Sequence, residues 1–221
     1  MKTFLVNFGV NVAFLGILLL SAGRLSFGPA WVYFAIGMLS NVLMRLVLRE
    51  RPDLARERSS PSSGAEAWDK RLLRLAFLLT ISMLVVAGLD SGRFGWTPRV
   101  SWIWSAVGAF VILAGTSVFL LAMAENRFFT AVVRVQRDKG HAVCDSGPYR
   151  IIRHPGYTGM IVGTIGVPLL FMSAWSAIPA LLSVVLLVVR TRLEDSLLER
   201  ELEGYSDYQR QTRYRLVPGI W

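Results

Sequence analysis

The stretch WIWSAVGAFVILAGTSVFLLAMA, residues 102–124, runs for twenty-three residues without a Lys, Arg, Asp or Glu. A helix that crosses the hydrocarbon of a bilayer needs about 20 mainly apolar residues, because each adds only about 1.5 Å of rise. A surface helix of a soluble domain would instead show a polar stripe. Three comparable stretches precede it, Phe4 to Ala22, Ala30 to Leu48 and Leu72 to Leu89. Two shorter ones follow, Tyr157 to Phe171 and Trp175 to Val189, separated only by Met172, Ser173 and Ala174. These last two read as a tight helical hairpin, with Gly163, Gly166 and Pro168 weakening its first arm.

The composition agrees. Of 221 residues, 53% are hydrophobic and 18% charged, and the mean hydropathy is +0.47. Soluble domains carry about 25% charged residues, so the deficit points to lipid. Disorder is excluded, and a lone cysteine, Cys144, excludes a disulfide scaffold. The expected fold class is an all-α polytopic membrane protein of about six hydrophobic helical segments. It forms one transmembrane domain, 1–221, with four membrane helices in 1–124 and a loop, helical hairpin and tail in 125–221.

Charge placement sets the orientation. With the amino terminus inside, twenty Lys and Arg fall on the cytoplasmic side, from Lys2 through Arg56 and Arg58 to Arg215. Three, Arg24, Arg93 and Arg99, fall on the other side, and Arg45 lies near the end of the second segment. This bias satisfies the positive-inside rule with both termini and the 125–157 loop cytoplasmic. The net charge of +9 is thereby a feature of topology, not of nucleic-acid binding. The first stretch reads as an uncleaved helix, and Ser59-Ser60-Pro61-Ser62-Ser63-Gly64 as the one linker-like run. The spacing of Gly159 and Gly163 predicts close helix packing.

Chemistry concentrates in the loop from Glu125 to Tyr157. It holds both histidines, His141 and His154, and the only cysteine, and it is interrupted by Gly147-Pro148 and His154-Pro155. Irregular backbone at a membrane surface leaves N–H and C=O groups in need of partners, which a polar ligand can supply. His141 and Cys144 are too few for a metal centre, and none is expected. Neither a Gly-rich dinucleotide fingerprint nor a phosphate loop occurs.

These motifs resemble the isoprenylcysteine carboxyl methyltransferase and phospholipid methyltransferase group of membrane enzymes. The resembling residues are His141 to Cys144, Gly147-Pro148-Tyr149, Arg153-His154-Pro155-Gly156-Tyr157-Thr158-Gly159, the acidic pair Glu194-Asp195 and Glu201-Leu202-Glu203-Gly204-Tyr205. They cover about the last hundred residues. The resemblance implies S-adenosylmethionine as methyl donor, with S-adenosylhomocysteine as product, in a pocket at the cytoplasmic side. It implies cofactor contacts from His141, Ala142, Val143, Cys144, Tyr149, His154, Pro155, Gly156, Tyr157 and Glu194, and from a glutamine before the Gly-His pair, Gln136, with Arg134 as the alternative. It implies that Arg190 faces the acceptor and, with Glu194, carries the chemistry. The family's usual second glutamate is Asp195 here.

The chemistry of methyl transfer is compatible with these residue types. An in-line displacement at a sulfonium needs positioning rather than a protein nucleophile. A carboxylate at Glu194, aromatic walls at Tyr149 and Tyr157, and backbone donors at Val143 and Cys144 suit such a cofactor. A guanidinium at Arg190 suits an anionic acceptor. The expected acceptor is lipophilic or lipidated, drawn from the bilayer, and carries a carboxylate such as that of isoprenylcysteine. Other readings remain open at this level: phospholipid N-methylation, a sterol-type membrane reductase using NADPH, or a non-enzymatic membrane subunit. Arg190 and Glu194 could equally form an ordinary ion pair one helical turn apart. The expected location is a bacterial inner membrane.

Overall fold

The computed structural model of the chain describes residues 2–51, 54–55, 64–98 and 100–221. Arg56, Arg58 and Arg99 of the charge map, and the run from Ser59 to Ser63, lie outside the described residues, as does the side chain of Lys2. Helix α1 spans Lys2–Ala22, α2 Gly28–Arg49, α3 Ala67–Ala87, α4 Ile103–Glu125, α5 Pro155–Phe171, α6 Ala177–Glu201 and α7 Tyr205–Gln211. No strand occurs among the described residues. Among the described residues four helices, α1 to α4, are long and apolar enough to cross a membrane. Only 6% of the first of these spans and 33% of the fourth are buried inside the protein. Leu20, Phe77, Phe110 and Leu121 point outward. Such an apolar exterior fits a lipid environment, and the protein is a polytopic all-α membrane protein.

The two late segments form a helical hairpin whose first arm is also packed closely along α4. Helix α5 has 17 residues, about 25 Å of rise, which is shorter than the roughly 30 Å of hydrocarbon. It runs through Pro168 without breaking and lies chiefly along α4 rather than along α6. The glycines that weaken it in isolation make that docking possible. A Cβ on Gly115 would come within 2.4 Å of the Gly163 nitrogen, and one on Gly108 within 2.1 Å of the Leu170 nitrogen. Gly159 likewise faces the Gly115 carbonyl, where a Cβ would sit at 2.6 Å. Where lipid removes the hydrophobic drive between helices, backbone-to-backbone approach of this kind supplies the dispersion contact. Ser105 adds a hydrogen bond to the Leu170 carbonyl at 2.8 Å.

Helix α6 continues well beyond its apolar part, which ends at Val189, and packs along both α3 and α5. Its far end carries the charged residues from Arg190 onward. The turn before it places Met172 at φ 50°, with its N–H on the Leu169 and Pro168 carbonyls. At this end of the bundle α3 continues as a π-helical turn, Gly88–Phe94. Buried Asp90 there accepts from the Thr97 N–H at 2.7 Å and from the Ser173 hydroxyl at 2.6 Å. That carboxylate ties the α3 exit to the α5–α6 turn. The central core joins Leu18, Phe27, Leu84, Ile112, Leu170 and Phe171.

At the opposite end meet the start of α3, the ends of α2 and α4, the start of α5 and the charged half of α6. The Arg51 guanidinium caps the Ala124 carbonyl at 2.8 Å, and Leu48, Leu54, Leu120 and Met123 pack together beneath it. The chain from Asn126 to His154 and the tail from Tyr205 fold over this end.

Candidate active site

A cavity of about 260 Å³ opens between the 126–157 connection, the start of α5 and the charged half of α6. Its apolar wall is Leu73, Phe119, Phe128, Phe129, Met160 and Leu198. Of the residues expected from sequence, His141, Ala142, Val143, Cys144, Tyr149, His154, Gly156, Tyr157, Arg190 and Glu194 line it. They come from separate segments of the chain that run from His141 to Glu194.

Two expected residues stand elsewhere. Gln136 is 2% exposed and sits behind the wall: its side-chain amide donates to the Phe128 carbonyl at 2.9 Å, and its backbone N–H to His141 Nδ1 at 3.2 Å. It braces the loop instead of facing the cavity, whereas Arg134 does line it. Pro155 occupies the first turn of α5, where a missing N–H costs nothing, and is fully buried away from the wall.

The left-handed Gly140 (φ 61°) turns the chain so that the His141 ring packs on Phe128, tilted by 32°, with ring centroids 4.4 Å apart. Burial, reinforced by the Arg134 charge, lowers the His141 pKa to about 4. The ring is therefore neutral near pH 7, as its acceptance of the Gln136 N–H requires. Cys144 is half-buried, not enclosed, and burial pushes its thiol pKa up. It is a neutral wall group rather than a nucleophile. Tyr149 is buried and donates to the Ala122 carbonyl at 3.3 Å, and burial raises its pKa so that it remains a donor. At Gly156 a Cβ would approach the Phe129 ring to 2.7 Å; the absent side chain is what lets that aromatic wall close.

The Tyr157 hydroxyl donates to the Glu194 carboxylate. Arg190 does not pair with Glu194. Its guanidinium meets Asp69 of α3, with Nε to Oδ1 at 2.7 Å and Nη2 to Oδ2 at 3.1 Å, and Nη2 also donates to the Ala131 carbonyl at 3.0 Å. It lies over the Tyr157 ring at 5.2 Å. The Val133 N–H donates to Asp69 Oδ2 at 2.8 Å, so the same carboxylate clamps the loop.

Asp195, next to Glu194, points the other way and does not line the cavity. It accepts from Arg153 Nε and Nη2 at 2.9 and 3.0 Å, from Tyr205 at 2.8 Å and from Arg215 at 2.7 Å, with His154 Nε2 at 3.1 Å. Burial alone would raise its pKa, but the hydrogen bonds from His154, Arg153 and Arg215 outweigh that and hold it far below the usual carboxylate range. Asp195 is thus a clasp joining loop, helix and tail. Backbone pairing reinforces it, with the Arg153 and His154 N–H groups on the Tyr214 and Arg215 carbonyls, both at 2.9 Å. The tail arginine Arg215 is turned onto Asp195 and the Trp221 ring.

Sequence reasoning missed Asp69, Phe128, Phe129 and the clasp role of Asp195. Asp69 had no local signal, because its partner lies 121 positions away. Phe128 and Phe129 stand beside Asn126 and Arg127 at the mouth of the loop, where an aromatic pair was the available hint.

Among the described residues no group of three or more His, Cys, Asp or Glu is placed to hold a metal ion. The lining fits a nucleotide-like molecule with a cationic group: it offers the Glu194 carboxylate, several aromatic faces and loop backbone, and of its arginines Arg153 and Arg190 are neutralised by Asp195 and Asp69.

A membrane-helix bundle with a largely apolar pocket at one end, built from a late loop and two late helices, is the class that fold and site define. Residues 106–200 match the isoprenylcysteine carboxyl methyltransferase (ICMT) family. A probable protein-S-isoprenylcysteine O-methyltransferase of Oryza sativa subsp. indica is 26% identical over 108 residues, covering 48% of this chain and 56% of the relative. Protein-S-isoprenylcysteine O-methyltransferase B of Arabidopsis thaliana is 30% identical over 78 residues, 35% of this chain and 40% of the relative. The chain thus spans about half the length of the curated relatives it matches.

Proposed function

We propose that the protein is an integral-membrane methyltransferase that uses S-adenosylmethionine to methylate a lipophilic acceptor bearing a carboxylate, such as an isoprenylcysteine. The observation that carries this reading is the convergence on one cavity of the 141–144 loop, Tyr149, the His154–Tyr157 segment, Arg190 and Glu194, within the region that matches the family. The catalytic part is 125–221, docked on helices contributed by 1–124.

When bound, the cofactor supplies an electrophilic methyl group to an acceptor oxygen that is already nucleophilic as a carboxylate. Glu194, fixed by the Tyr157 hydroxyl, offers negative charge to the cationic cofactor. The Val143 and Cys144 backbone provides polar contacts, while Phe128, Phe129 and Tyr149 exclude water. Arg190 orients the anionic acceptor. None of these roles requires a protein nucleophile or general base. The positive-inside bias supports a cytoplasmic location for both termini and this cavity, and a bacterial inner membrane is the proposed location.

Titration of the detergent-purified protein with S-adenosylhomocysteine tests the reading, with NADPH in a parallel cell. Micromolar binding of S-adenosylhomocysteine, followed by methyl transfer to a prenylated cysteine with a free carboxylate, is the expected result. Binding of NADPH instead, or of neither, overturns it. Transfer to a phospholipid amine but not to the carboxylate would overturn the acceptor assignment.

A further inference from the structure

We propose that Asp69, contributed by α3 from outside the family-matched region, is the positioning residue that sets which edge of Arg190 meets the methyl acceptor. The inference rests on the methyltransferase reading above. A guanidinium has five N–H donors in a fixed plane. Arg190 spends Nε on Asp69 Oδ1 at 2.7 Å and Nη2 on Asp69 Oδ2 at 3.1 Å and the Ala131 carbonyl at 3.0 Å. Nη1 has no hydrogen-bond partner among the described residues. The plane is held further by the Tyr157 ring 5.2 Å from Cζ.

Asp69 is 0% exposed and Arg190 7%. In such a setting the fork-to-fork geometry leaves the arginine a single orientation. Asp69 is itself held, because the Val133 N–H donates to Oδ2 at 2.8 Å and the Glu66 N–H donates to the Val133 carbonyl at 3.2 Å. The loop, the start of α3 and the start of the charged half of α6 therefore share one carboxylate. The acceptor meets Arg190 through Nη1 alone. Without Asp69 the guanidinium loses two of its three fixed hydrogen bonds and is free to turn.

The test compares Asp69→Asn, Asp69→Glu, Arg190→Lys and the Asp69→Asn/Arg190→Lys double variant as full-length chains in detergent. S-Adenosylhomocysteine affinity and the kinetics of a prenylated cysteine with a free carboxylate are measured on each. Asp69→Asn is expected to bind S-adenosylhomocysteine within about twofold of wild type while kcat/KM for the acceptor falls at least about tenfold. Asp69→Glu should recover part of that loss. Because Asp69 acts through Arg190, the double variant should be no worse than Arg190→Lys by more than about twofold. Acceptor kinetics unchanged in Asp69→Asn, or losses that multiply in the double variant, would overturn the proposal. So would a loss of S-adenosylhomocysteine binding equal to the kinetic loss, which marks a merely structural role. Failure of wild type itself to bind S-adenosylhomocysteine would overturn the methyltransferase reading and this proposal with it.

Discussion

The Tyr157 hydroxyl donates a hydrogen bond to the carboxylate of Glu194, joining the first turn of α5 to the charged half of α6 across 37 positions of sequence. Both groups face the cavity beneath Phe128 and Phe129. Three separate requirements produce the contact. Pro155 starts α5 at the right point, α6 runs on past its apolar part, and the glycine seam with α4 lets α5 sit deep enough for the two helices to meet.

Glu194→Ala is therefore expected to weaken S-adenosylhomocysteine binding at least tenfold, a change of about 1.4 kcal/mol or more. Tyr157→Phe keeps the ring and should cost several-fold, because it loses only the bond that orients the carboxylate. Calorimetric titration checks both. Unchanged affinity in the two variants would remove them from the binding site.

Arg190→Ala should act differently. It removes the group assigned to the acceptor, so the apparent KM for a prenylated cysteine should rise while cofactor affinity changes little. Steady-state kinetics at saturating methyl donor separate the two. The substitution also strands Asp69 in a buried position, so some loss of thermal stability should accompany it.

Asp195→Ala should destabilise the fold rather than alter recognition directly. It strands Arg153, which is 7% exposed, and releases Arg215 and Tyr205. Breaking a buried pair of this kind costs about 3–5 kcal/mol. A lowered melting temperature in detergent, with the tail cut sooner by protease, is the expected observation.

The glycine seam gives a steric prediction. At Gly108 a Cβ would sit 2.1 Å from the Leu170 backbone nitrogen, so Gly108→Val must push α5 away from α4. Gly16, which has nothing within 4 Å of its Cβ position, should accept alanine with little effect. Melting curves of the two variants should differ clearly in the same detergent.

Acid sensitivity should follow His141. Its pKa is lowered from 6.5 to about 4 by burial and by the Arg134 charge. Between those values the unfolded chain binds more protons than the folded one, so the neutral ring's contribution to stability is complete above pH 6.5. It is lost progressively as pH falls towards about 4. Protonation of Nδ1 also ends the hydrogen bond from Gln136, so cofactor affinity should drop as pH falls through about 4. His141→Gln should flatten the stability slope in that window. Asp195, held far below the usual carboxylate range, contributes stability that is lost only at still lower pH.

The sequence by itself determined the class. Runs such as residues 102–124 are too long and too apolar for anything but a bilayer, and that property is local, read from one segment at a time. The loop motifs were equally local, so His141 to Cys144, Tyr149 and His154 to Tyr157 could be picked out before their neighbours were known. The spacing of Gly159 and Gly163 announced a close contact but not its partner, which is Gly115 of α4. Only tertiary structure decided the pairing of charges. Arg190 and Glu194 share a helix face, yet the arginine turns to Asp69, because a buried guanidinium takes the carboxylate that can meet it fork to fork and α3 delivers one. Asp195, one residue from Glu194, faces the tail for the same reason: successive side chains on a helix point about 100° apart. One acid was thereby left for the cavity and the other for the clasp.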